Sequence, residues 1–432
     1  METAAERVSH PSRRGPWPGT VLLLAAALVA LPGAARGQDD QLCLGCHGQP
    51  GLTKTLVDGR TVSLYMDQAV LKASVHRELG CVACHTDAAT VPHPIPSGKV
   101  VCGTCHASEQ EDYLTSIHGQ HLAKGAPGAP RCTTCHGTHE VLQVKNPSSA
   151  AHPINLMRVC TGCHEDPEMK GKYDLPGPAF IKAYERSVHG QAIRRGGLVV
   201  TAVCNDCHGS HTILPADDPR SAVHRKNIPE DCGKCHAGIT EVYWESIHGQ
   251  AVAAGSPDAP VCTDCHGEHT ILKPTDPRSG VSPKNIPTTC SACHEDVKLA
   301  AAYNLPPRRL VTYLESYHGV ANKFGEAVVA NCASCHGAHD IRPSTDPQSS
   351  IHKDNLPSTC GKCHPGAGKH FAEGLVHVEA TKESLYGKWL VRRFYTIFIS
   401  ILVLLFVSYV ALDLLGHWRR KHSDREGSGH GH

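Results

Sequence analysis

All 22 cysteines of this chain fall into eleven pairs, each pair separated by two residues and followed at once by histidine. Cys43 and Cys46 precede His47, Cys81 and Cys84 precede His85, Cys102 and Cys105 precede His106, and Cys132 and Cys135 precede His136. The pattern continues with Cys160, Cys163 and His164, then Cys204, Cys207 and His208, then Cys232, Cys235 and His236, then Cys262, Cys265 and His266. It closes with Cys290, Cys293 and His294, Cys332, Cys335 and His336, and Cys360, Cys363 and His364. With 32 histidines in 432 residues, eleven chance successes have odds on the order of one in 10^12 if positions are independent. Disulfide frameworks and zinc sites give no reason for histidine after every pair. Covalent haem attachment does, because each thiol of the pair can form a thioether to one porphyrin vinyl group. The adjacent imidazole then supplies the proximal nitrogen to iron. The spacing predicts eleven covalently attached haem c groups.

The remaining histidines are candidates for the sixth iron ligand. Setting aside His10 near the start and His417, His422, His430 and His432 near the end leaves sixteen. Two settings recur. A Ser-x-His setting gives His76, His118, His189, His248 and His318, and a CxxCHGxH setting gives His139, His211, His269 and His339. His377 after the last cysteine pair and His93 after the second bring the number to eleven, one per haem. His152, His224 and His352 form a further series eight residues before a cysteine, but Ser282 takes that place in another copy. These three, with His121 and His370, are held in reserve. Outside the initiator only Met66, Met157 and Met169 are available as competing axial ligands. Bis-histidine, low-spin coordination should therefore dominate, which leaves no open iron and favours electron transfer over catalysis. The competing reading is an enzyme with one five-coordinate haem acting on a small nitrogen or sulfur oxyanion. The Cys43–His47 and Cys360–His364 sites are then the first to suspect.

Elements must position these groups with little help from a conventional core. Aromatic residues are 5% of the chain, and Phe and Trp number six and four. Residues 38–388 leave roughly 32 residues per haem, too few for a separate sheet or core. The fold expected is mainly α with extensive loops, with short helices organised by haem. The stretch "ITEVYWESIHGQAVAAG" reads as one helix, with Ile239, Val242, Tyr243, Ile247 and Val252 on one face and Gly255 ending it. Pro229 in "KNIPEDCGKCH" suits the first turn of a short helix carrying thiols.

The motifs also repeat at long range. Cys102, Cys132 and Cys160 recur 130 positions on at Cys232, Cys262 and Cys290, and Cys204 and Cys232 recur 128 positions on at Cys332 and Cys360. Residues 102–231 and 232–359 thus read as two copies of a tetrahaem module. They follow a dihaem segment, 38–101, and precede a single-haem partial repeat with a juxtamembrane segment, 360–388. Residues 1–37 read as an export signal: Arg7, Arg13 and Arg14 precede an apolar run from Val21 to Leu31, with small residues before Gln38.

Phe394 to Leu412 is free of charge and long enough to span a bilayer, with Trp389 and Trp418 at interfacial positions. The transmembrane helix is placed at 389–415 and a cytoplasmic tail at 416–432. Attachment of haem outside the cytoplasm puts the haem domain in the periplasm and the anchor in the inner membrane. Asp413 and His417, near the inner end, read as a snorkelling carboxylate and an interfacial imidazole. The formal charge of +1 offers no basic footprint for nucleic acid. Two propionates per haem would make the loaded protein acidic and suit a basic redox partner.

Taken together, the chain resembles membrane-anchored multihaem c-type cytochromes built from doubled CxxCH, tetrahaem modules. It is similar to the cytochrome c subunits of bacterial cytochrome b/c quinol-oxidising complexes, over roughly residues 40–415. The resemblance implies an inner-membrane quinol-oxidising partner, such as a b-type cytochrome, and periplasmic c-type cytochromes as acceptors in anaerobic respiration. Two features depart from it: the anchor is C-terminal, and no b-type haem domain is fused to the chain. Related multihaem nitrite and tetrathionate reductases typically mark their catalytic iron with lysine in place of the motif histidine, whereas all eleven positions here are histidine.

Overall fold

The computed structural model describes residues 40–427, other than 57, 94–98, 174, 176–177, 374–375 and 380. The export signal and the last five residues, His430 and His432 among them, lie outside the described residues, and side chains are described only to residue 420. The described chain is mainly helical, in short helices joined by turns. Among the described residues the only sheet is an antiparallel pair, Thr53–Thr55 with Thr61–Ser63, in register Lys54 to Val62. The chain divides into two units: residues up to Lys72 with His76–Val101, and Ala73–Val75 with Cys102 onward.

One local arrangement recurs four times in the second unit, and its chemistry explains the Ser-x-His-Gly setting. A helix ends, a serine adopts extended geometry, and a second short helix begins. The pairs are Ala107–Thr115 with Ile117–Ala123, Ala179–Arg186 with Val188–Gly196, Ala237–Glu245 with Ile247–Ala253, and Arg309–Leu314 with Tyr317–Lys323. The buried Ser246 hydroxyl donates to the Tyr243 carbonyl (2.7 Å) and accepts from the Gly249 amide (3.1 Å), so one side chain satisfies both helix ends. Ser116, Ser187 and Ser316 do the same. The glycine is demanded by close approach. A Cβ on Gly119, Gly190, Gly249 or Gly319 would lie 2.0–2.1 Å from the carbonyl oxygen of the preceding tyrosine. Ile239 to Gly255 is therefore two helices, not the single one its periodicity suggests, because Ser246 is a better cap than helix-interior residue. Tyr243 is buried, whereas Ile239 and Ile247 are exposed.

Longer contacts tie each pair to the chain beyond it. The Tyr243 hydroxyl donates to the Pro260 carbonyl (2.8 Å), two residues before Cys262, and Tyr184 and Tyr313 make the equivalent bonds to Ala202 and Ala330. The amides of Val75, Ile117, Val188 and Ile247 donate to the carbonyls of Val141, Ile213, Ile271 and Ile341. Asn155, Asn227, Asn285 and Asn355 each clasp a Pro and a Ser carbonyl in the turn before them, as in Asn227 to Pro219 and Ser221. Pro229 lies in the first turn of Ile228–Gly233, which carries Cys232 but ends before Cys235 and His236.

Side chains alone close little core. Nine hydrophobic residues are buried among those described, against fourteen polar ones, mostly the capping serines and their like. The helix Tyr386–Gly427 leaves its apolar span uncovered: Leu404, Phe406 and Tyr409 are all exposed. This helix is long and apolar enough to cross a membrane. Around its start the rings of Tyr386 and Trp389 stack 5.9 Å apart, and the Arg393 guanidinium lies over Trp389.

Candidate functional site: paired imidazoles beside paired thiols

Four of the CxxCH motifs form helices of their own length: Cys132–His136, Cys204–His208, Cys262–His266 and Cys332–His336. The residue between the two cysteines' midpoint and the second thiol does the capping. Asp206 accepts from the Val203 amide (2.7 Å) and Asp264 from that of Val261 (2.6 Å), while Thr134 and Ser334 serve Arg131 and Asn331. Each helix ends on a glycine at positive φ, between 81° and 85° at Gly137, Gly209, Gly267 and Gly337, which turns the chain toward the second histidine. The CxxCHGxH setting is thus a capped turn of helix, a left-handed stop and a returning imidazole. Among the described residues no two cysteines are joined as a disulfide. Burial pushes the Cys207 thiol up to about 12, with Asp231 and Cys232 adding to it.

The histidines come together in twos. His118 faces His164 with ring centroids 6.3 Å apart, His189 faces His236 at 6.3 Å, His248 faces His294 at 6.3 Å, and His318 faces His364 at 6.1 Å. His136 faces His211 and His208 faces His269, both at 6.0 Å, and His266 faces His339 at 6.0 Å. His336 faces His377 at 6.2 Å, and in the N-terminal unit His47 faces His93 at 6.1 Å. Each of these nine pairs joins one motif histidine to one residue expected as a sixth ligand. The distances stay within 6.0–6.3 Å while interplanar angles run from 8° to 61°. Ring-on-ring attraction ties separation to tilt, so a constant spacing across all tilts points to a common spacer. A single metal held by two opposed imidazoles needs about 2 Å to each nitrogen and about 1 Å more to each ring centre, or about 6 Å in all.

The surroundings favour neutral, oriented imidazoles, the form a metal ligand requires. Burial, then the neighbouring His294, pushes His248 down to about 4. Burial first and the facing imidazole second also lower His189, His208, His266, His318 and His336. His47 Nδ1 meets the Leu64 carbonyl (2.9 Å) and His377 Nδ1 meets the Thr312 hydroxyl (3.1 Å), which leaves Nε2 of each free to coordinate. Among the described residues no three His, Cys, Asp or Glu converge on one point. Each pair offers two imidazoles, fewer than the four protein ligands of a structural zinc site and as many as a haem iron takes from its protein.

Two pairing rules emerge. The Ser-x-His residues reach forward 46 or 47 positions, as His248 does to His294, and serve the next motif but one. The CxxCHGxH residues reach back, as His339 does to His266, and His377 follows the same direction to His336. His76, His85, His106 and His139 each have interactions of their own. The two motifs whose coordination the sequence leaves most open, at His47 and His364, each face a second imidazole.

Neighbouring motifs also touch. Helix Pro153–His164 packs on Cys204–His208, Ile228–Gly233 on Cys262–His266, and Ile286–His294 on Cys332–His336. At these junctions the leading thiols lie beside one another: Cys160 and Cys204, Cys232 and Cys262, Cys290 and Cys332. Between them, Cys135 lies beside Cys163, Cys207 beside Cys232, Cys265 beside Cys293, and Cys335 beside Cys360. The eight motifs from Cys132 to His364 therefore adjoin one another in chain order.

The five reserve histidines do other work. His152, His224 and His352 cap turns, their Nδ1 atoms accepting from the amides of Ile154, Lys226 and Asp354 (each 3.3 Å). Ser282 takes that place in the remaining copy, where its buried hydroxyl caps no amide, so the turn forms without the cap. His121 meets Tyr173 edge-on, and His370 is exposed beside Glu373. What sequence reasoning missed is Arg186 and Arg278, which line an open pocket of about 370 Å³ beside Cys265 and His266. No motif marks them, and only the fold brings them there. No family model, curated protein or solved structure matches the chain.

Proposed function

We propose that the chain is a membrane-anchored c-type cytochrome carrying eleven haems and moving electrons between an inner-membrane quinol-oxidising partner and periplasmic redox proteins. The observation that carries this reading is the set of nine imidazole pairs at one spacing, each beside a CxxCH thiol pair. Haem iron supplies one-electron exchange between ferric and ferrous states when bound. The chain's own residues do the rest. The paired thiols would hold each haem, and the facing imidazoles would hold its iron and keep small ligands out. The capped turns lock imidazole orientation so that little rearranges on electron transfer. Arg186 and Arg278 offer cations to propionates at the Cys262–His266 site.

Contact between successive motifs supports transfer in chain order along Cys132–His364. The recurrence of the Ser-capped helix pairs supports a tetrahaem module present twice, at 102–231 and 232–359, after a dihaem segment and before a single-haem remnant. The helix Tyr386–Gly427 would anchor the assembly with haems outside and the tail inside. Electron paramagnetic resonance of the oxidised protein tests the electron-carrier assignment. Low-spin ferric signals alone are expected; a large high-spin signal that shifts on adding nitrite would replace the carrier with an enzyme.

A further inference from the structure

The fourth Ser-capped helix differs from its three sisters on one face. Tyr317, Val320 and Phe324 stand at i, i+3 and i+7, so they share a side. Tyr317 and Phe324 are 83% and 84% exposed. The sisters carry Ile117, Gln120 and Lys124, then Val188, Gln191 and Arg195, then Ile247, Gln250 and Ala254. Their glutamines fold back to donate to the carbonyls of Thr115, Arg186 and Glu245 (2.7–2.9 Å). The amides of Ile117, Val188 and Ile247 are tied to the segment that follows; among the described residues Tyr317 makes no such bond. The loop beyond repeats the contrast. Gly128 lies against Met169 and Asp258 accepts from the Tyr303 hydroxyl (2.9 Å), while at the same place Val200 and Val328 are 76% and 85% exposed, so there the difference is from two sisters of the three.

A second observation says what covers this face. Glu315, one residue before the Ser316 cap, pairs with Arg392 at 3.0 Å. Arg392 belongs to the first turns of the membrane-crossing helix, beside the Tyr386–Trp389 stack and Arg393. The apolar stripe therefore starts at the level where that helix meets the bilayer, and it carries the residue types suited to that level. Tyr317 has an apolar body with a polar tip, Phe324 and Val328 are apolar, and Lys323 provides a cation for anionic head groups.

We propose that the face formed by Tyr317, Val320, Phe324 and Val328 seats on the lipid bilayer itself, between head groups and acyl chains. His318 lies on this helix and faces His364. On the haem reading above, seating the helix places that site at the membrane surface, where single electrons from the quinol-oxidising membrane partner would enter the series. They then pass through the motifs in reverse chain order, toward Cys132.

Photo-crosslinking in the full chain tests this. The purified protein, reconstituted into phosphatidylcholine–phosphatidylglycerol vesicles, carries p-benzoylphenylalanine in place of Phe324, of Ala254 (the sister position) or of Leu404 (within the crossing helix). Covalent haem content is measured on the same samples. Lipid adducts are expected at 324 and 404 and not at 254. A lipid adduct at 404 with none at 324 overturns the proposal, as does equal labelling at 254 and 324. Repeating the irradiation in native membranes separates lipid from a protein occupant: a protein adduct at 324 in place of lipid also overturns it. Because haem is counted separately, failure of the haem reading leaves a different mark, lipid adducts on a chain without haem.

Discussion

Replacing Gly249 by alanine should detach one iron ligand without touching a ligand residue. An added Cβ would lie 2.1 Å from the Tyr243 carbonyl oxygen and 2.8 Å from Trp244 Cα, both backbone atoms of the preceding helix. Ordinary contact begins at 3.4 Å, so the helix Ile247–Ala253 must retreat by about 1.3 Å. Alanine would otherwise gain up to about 1 kcal/mol inside a helix, and overpacking of a tight site costs about 1–3 kcal/mol, so a net loss of about 1–2 kcal/mol is expected. The shift matters more than the energy. Metal–ligand distances tolerate only about 0.2 Å, and His248 is the adjacent residue. The site shared by His248 and His294 should become high-spin, so one haem in eleven binds carbon monoxide when reduced. Gly238→Ala is the control, since nothing lies within 4 Å of its added Cβ and it sits in the neighbouring helix. Equal spectra for the two variants, with no new high-spin signal, would refute the close-approach argument.

Ser246→Ala removes the acceptor of the buried Gly249 amide and the donor to Tyr243, and should lower unfolding stability by about 1–2 kcal/mol, read as a shifted denaturant midpoint. His339→Ala should open the axial position facing His266, giving one carbon-monoxide-binding haem. His224→Ala and His352→Ala, which remove turn caps, should leave every haem low-spin; a high-spin signal from either would reassign that residue as a ligand. A stop codon at Tyr386 removes the apolar helix, and the shortened protein should fractionate with soluble rather than membrane material.

Much of the site is legible in the sequence because it is written in local chemistry. The thiol pairs and proximal histidines are contiguous, and the two distal settings repeat at fixed offsets from them. In each of the nine pairs described, the histidine that faces the motif histidine belongs to those settings or to the His93 and His377 positions. The pairings themselves are not legible, because His339 meets His266 across 73 positions through a fold built from turns. The break at Ser246 was hidden by apolar periodicity running through it: Ile239, Val242 and Ile247 fit one helical face, yet a serine hydroxyl bonds both ends more strongly than the helix can continue. His152, His224 and His352 look like ligands in sequence, and only hydrogen-bond geometry separates an imidazole that caps an amide from one that faces another imidazole.

The most direct test of the account is the intact mass of the mature protein alongside its haem-to-protein ratio. Eleven covalent haems per chain, surviving acid–acetone extraction, are predicted from the eleven CxxCH motifs. A mature chain whose 22 cysteines are found as disulfides or zinc ligands, with no covalent haem, would contradict it.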